Sequence, residues 1–130
     1  MEYIATPVII LILNALMEGV AGIQGILAPS KAAKSMFPAH DSGPGVEPMA
    51  RTFGTAALTI AVLSAIGALV ASDAAALMPV LAALIFYNVV IAIVFVAFAN
   101  KGTKNTVATV VHIVIAAILI YYWVAMGITI

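Results

Sequence analysis

In a chain that is 65% hydrophobic and 8% charged, few side chains are able to do chemistry, and their positions are informative. Glu18 is the one acid in the first long apolar run, and Asn14 stands one helical turn before it on the same face. Asn88 lies inside the third apolar run and His112 inside the fourth, while Arg51, Thr55 and Thr59 open the second. At about 1.5 Å of rise per residue, Glu18 and Asn88 fall about 15 Å from the same end of a bundle, and His112 about 10 Å. The spacing predicts a polar layer of Asn14, Glu18, Thr55, Thr59, Asn88 and His112, with Arg51 at its mouth. A charge near a bilayer centre costs at least about 2.5–3.5 kcal/mol on insertion scales. Glu18 is too short to reach the interface, so it must be paired, hydrated or protonated, and His112, Asn88 and Arg51 are its expected partners.

Three roles fit such a layer. It can be a hydrogen-bonded network that fixes helix register. It can be a small-molecule site for a lipid-like or quinone-like ligand, with Glu18 and His112 as proton donor and acceptor. It can be a proton or ion path, for which one Glu and one His make a thin relay. Resident metals are not expected. His40 lies in a loop and His112 in a helix, and no Glu-x-x-His or His-x-x-x-His spacing occurs. The absence of cysteine excludes disulfides, thiolate catalysis and Cys-ligated zinc or iron–sulfur sites. No cofactor is expected, although the layer leaves room for a bound lipid or quinone.

The elements that must position these residues follow from hydropathy. Mean hydropathy is +1.25 over 130 residues. Ten formally charged side chains, the five basic and five acidic ones together, cannot give a chain of this size a water-facing surface. A spanning helix needs about 20 apolar residues, and four stretches supply them, at about 4–28, 52–71, 77–99 and 106–126. The expectation is an all-α, up-down bundle of four transmembrane helices, one domain over residues 1–130. Residues 29–51 form its one long loop, within which Ser30 to Phe37 suits a short interfacial helix. Pro79 reads as an early helical residue or a kink.

All five Lys and Arg residues fall in or beside the first and third loops. The positive-inside rule makes that side cytoplasmic and both termini non-cytoplasmic, in a bacterial inner membrane or its equivalent. Tyr3 and Tyr121-Tyr122-Trp123 then sit together at the outer interface. The first run reads as a retained helix, because no basic residue precedes it. Gly19, Gly22 and Gly25 on the first helix, and Gly54, Ala57, Ala61, Ser64 and Ala68 on the second, mark close-packing faces. A zero net charge with no basic run makes nucleic acid an unsuitable partner.

Ala50-Arg51-Thr52-Phe53-Gly54-Thr55, followed by Leu58-Thr59, resembles the signature opening the second helix in the ergosterol-biosynthesis scaffold family. Those are small four-helix membrane proteins that tether sterol C4-demethylation enzymes. Chain length, helix count and Asp73 after the second helix also fit. The third helix departs, carrying Tyr87-Asn88 where that family tends to have His and Glu. More loosely, the Gly-rich first helix ending near a Pro and the Arg51-x-x-Gly54 pattern resemble bacterial DoxX-like families. Both resemblances imply a helper. The first expectation is therefore a non-catalytic scaffold or accessory subunit, assembling with itself or a larger membrane complex among membrane lipids. The alternative is a lipid- or quinone-binding or oxidoreductase-like membrane protein with its site near Glu18 and His112.

Overall fold

The computed structural model describes residues 5–36, 45–98 and 103–127, and among these every element is a helix. They are α1 (Ala5–Leu27), α2 (Pro29–Met36), α3 (Val46–Leu69), α4 (Ala74–Phe98) and α5 (Thr103–Gly127). Four of the five are long and apolar enough to cross a membrane, and the chain is an all-α four-helix bundle with one short helix added.

Local sequence sets the breaks. Pro29 restricts Ala28, so α1 stops at Leu27 and the chain bends there. Hydrogen bonding nevertheless continues, from Ala28 N–H to Gln24 O and from Ala32 N–H to Ala28 O. Pro29 then opens α2, a position where its missing N–H costs nothing. The short helix expected at 30–37 is thus found one residue earlier. It buries Ala32 and Ala33 against α1 and α3 and exposes Lys31 and Lys34. His40 lies outside the described residues, as does Lys101.

The second spanning helix starts at Val46 rather than near residue 52. Pro48 falls in its first turn, where proline is tolerated, so Gly45 and Pro48 bound a helix start instead of extending the loop. Asp73 caps α4 by accepting the Ala76 N–H on its side chain at 3.2 Å. That helix begins at Ala74, three residues ahead of expectation, and includes Pro79 as its sixth residue.

Packing divides the bundle into two close pairs, α1 with α3 and α4 with α5. Glycine makes the first pair close. A Cβ on Gly25 would lie 2.7 Å from Gly54 Cα, and one on Gly54 would lie 2.8 Å from Gly22 O. The buried stripe of α3 is Gly54, Ala57, Ala61, Ser64 and Gly67. Between the pairs, Leu11, Leu77, Leu81, Leu84, Ile115 and Leu119 form an aliphatic core. Those leucines come from the start of α1, the first half of α4 and the second half of α5. They therefore fill the half of the bundle away from Lys31, Lys34 and Arg51, leaving the basic half for polar groups.

Candidate functional site

Three helices bring a polar cluster together where the aliphatic core ends. Glu18 on α1, Tyr87 and Asn88 on α4, and His112 on α5 share the basic half of the bundle interior. The Tyr87 hydroxyl donates to Glu18 Oε2 at 2.8 Å. Glu18 Oε1 stands 3.8 Å from His112 Nδ1, and that nitrogen is 2.8 Å from Asn88 Oδ1. Asn88 is itself oriented from behind, since its Nδ2 donates to Leu84 O at 2.8 Å within α4. Phe95 stacks on the imidazole with centroids 6.0 Å apart, and the Tyr87 ring meets it edge-on at 6.3 Å.

Glu18, Tyr87 and His112 line one wall of a half-open cavity of about 330 Å³. Phe53 and Phe95 supply aromatic surface to the same cavity, and Ser35 lines it from α2. The volume is near the lower end of the range for small-molecule pockets, roughly 300–1,000 Å³. Among the described residues no group of three His, Asp or Glu is arranged to hold a metal ion.

Part of the expected layer lies elsewhere. Asn14 shares the buried face of α1 with Glu18, but its Nδ2 donates to Ser64 Oγ on α3 at 2.8 Å. Ser64 passes a hydrogen bond on to Ile60 O. Arg51 does not pair with Glu18. Its Nη1 donates to Ile26 O at 2.7 Å, satisfying a carbonyl at the C-terminal end of α1, where cationic side chains are favoured. Thr55 and Thr59 are exposed on the outer face of α3, and their hydroxyls donate to Arg51 O and Thr55 O. Each threonine is satisfied by its own helix and faces away from the cluster.

Two residues outside the expected set prove central to these contacts. Tyr87 is Glu18's direct hydrogen-bond partner, and Ser64 is Asn14's. Tyr87 carries a readable signal, because tyrosine in spanning helices belongs at the interfaces and this one is at mid-helix. Ser64 sits among small packing residues, so its stripe explains it without its hydroxyl.

Together the fold and the cluster define a polytopic four-helix membrane bundle with a half-open, mainly apolar cavity beside a polar cluster. Compared with family models, curated proteins and solved structures, the chain finds no match.

Proposed function

We propose that this protein binds a small apolar molecule with one polar head, of lipid or quinone type, in the cavity beside Glu18, Tyr87 and His112. The observation that carries this reading is a cavity whose largely apolar lining includes three polar side chains from three helices, Glu18, Tyr87 and His112. A network made only to fix register needs no cavity beside it, because protein interiors are otherwise close-packed. Phe53, Phe95 and Met17 supply the apolar and aromatic surface that the body of such a ligand needs.

Under this proposal the site occupies the cytoplasmic half of a bacterial inner membrane or its equivalent, with both termini on the other side. The support is that Lys31, Lys34 and Arg51 belong to the end of the bundle nearest the cavity. No catalytic step is assigned. The experiment is to purify the protein in mild detergent, extract it with organic solvent, and identify what is retained by mass spectrometry. One apolar species with a single polar head, near one per chain and depleted in a folded His112→Phe variant, is the expected result. Bulk lipid alone, in the same proportions for both proteins, would refute the proposal.

A second reading, assembly of the bundle with another copy of itself, draws support from a different surface. A lipid-facing groove of about 470 Å³ between α4 and α5 has Ala92, Ala97, Ala116 and Ala117 on its walls. Small residues of this kind let a neighbouring helix approach closely. A particle mass above one 13.4 kDa chain, after subtracting detergent, is the expected outcome, and a strictly monomeric particle would remove this reading.

A further inference from the structure

The hydrogen-bond directions around the cavity constrain the ligand's polar head. Asn88 Nδ2 is a donor, because it is spent on the carbonyl of Leu84. Asn88 Oδ1 therefore faces His112 as an acceptor, and an acceptor requires that Nδ1 carry the hydrogen. The Glu18 oxygen at 3.8 Å on the other side of Nδ1 also favours a hydrogen there. In a neutral imidazole this leaves Nε2 bare, as a lone-pair acceptor.

Nε2 has no hydrogen-bond partner among the described residues. Asn14 Oδ1 is the fully buried side-chain polar atom without a partner among those residues, so Nε2 keeps some accessible surface although His112 as a whole is buried. His112 lines the cavity, the opening that this surface can reach. The side-chain donors that line the cavity are engaged elsewhere, Asn105 among them. The Tyr87 hydroxyl donates to Glu18 Oε2, the Ser35 hydroxyl to Ala32 O, and the His112 Nδ1–H to Asn88 Oδ1.

We infer that the cavity selects ligands whose head is a ring hydroxyl, a phenol or a hydroquinone, over the matching ether or carbonyl. The hydroxyl donates to His112 Nε2, and the ring lies against the aromatic lining of Phe53 and Phe95. Asn88 acts as a positioning residue, since it touches no ligand and holds the imidazole in the accepting tautomer. This inference rests on the binding function proposed above and names the chemical class that the site takes.

The test uses the whole chain in nanodiscs, with 2-naphthol and 2-methoxynaphthalene as probes, counting only saturable binding above protein-free nanodiscs. The two share a ring system and differ in the donor. The hydroxyl probe should bind about tenfold more tightly, as expected when a buried acceptor is satisfied in one complex and orphaned in the other. Asn88→Leu should bring that ratio close to one, while binding of the ether stays unchanged. Nitrogen-15 spectra of histidine-labelled protein, assigned with a His112→Gln variant, should show hydrogen on Nδ1 and a bare Nε2. Equal affinity for both probes would overturn the inference and leave the cavity as a binding site. No saturable binding of either would overturn both. Hydrogen on Nε2 in the ligand-free spectrum would overturn the inference whatever the probes do.

Discussion

Glu18 and His112 approach to 3.8 Å, yet each makes its hydrogen bond to a third residue, Tyr87 for one and Asn88 for the other. That arrangement gives the residues separable roles. Tyr87→Phe removes one hydrogen bond and leaves the ring, so it should cost about 0.5–1.5 kcal/mol of stability. It should also leave the probe ratio at His112 intact, as read by thermal unfolding and binding on one sample. Glu18→Gln keeps shape and hydrogen bonding and should melt close to the parent, whereas Glu18→Leu strands the Tyr87 hydroxyl and should melt clearly lower. The reverse order of those two melting temperatures would show that the carboxyl is not held by this network. Asn14 and Ser64 are a second, independent pair. A double-mutant cycle with Asn14→Leu and Ser64→Ala should give a coupling of about 0.6 kcal/mol, typical of hydrogen bonds between spanning helices.

At the level of elements, α1 and α3 are placed by glycine and the α3 stripe by its period. Gly54→Ala puts a methyl group 2.8 Å from Gly22 O and should destabilise the bundle by about 1–3 kcal/mol. Gly45→Ala is the control, because a Cβ there meets nothing within 4 Å, and it should be near neutral. The four spans were legible because hydropathy alone identifies them, and Glu18, Asn88 and His112 were legible because polar groups stand out in apolar runs. Rotation about a helix axis was harder. Thr55 and Thr59 share the depth of the layer, but each follows or precedes the stripe of Gly54, Ala57 and Ala61 by too large an angle to join it. Depth follows from counting residues, whereas facing depends on which neighbour packs there. Arg51 meets a backbone carbonyl instead of Glu18 for a related reason: a carbonyl at the end of α1 lies within its reach and needs a donor. The early start of α3 was hidden by Gly45 and Pro48, which signal a loop by composition and a helix's first turn by position.

For the molecule as a whole, the arrangement separates two tasks. The aliphatic core from Leu11 to Leu119 holds one half together, and the other half carries the cavity, with α2 resting on α1 and α3 beside it. Because the chain has no cysteine, single substitutions report topology cleanly. Lys34→Cys should react with an impermeant thiol reagent only from the cytoplasmic side and Ser72→Cys only from the opposite side. Any other pattern would reverse or break the proposed orientation. The central claim, that the cavity beside Glu18, Tyr87 and His112 is where a ligand binds, is tested most directly by filling it. Ala108 lines the cavity and is only half-buried, so Ala108→Phe can occupy that space while the bundle stays folded. Saturable 2-naphthol binding to nanodisc-embedded protein should be lost in Ala108→Phe, with helical content and melting temperature close to the parent. Undiminished binding in that folded variant would contradict the account.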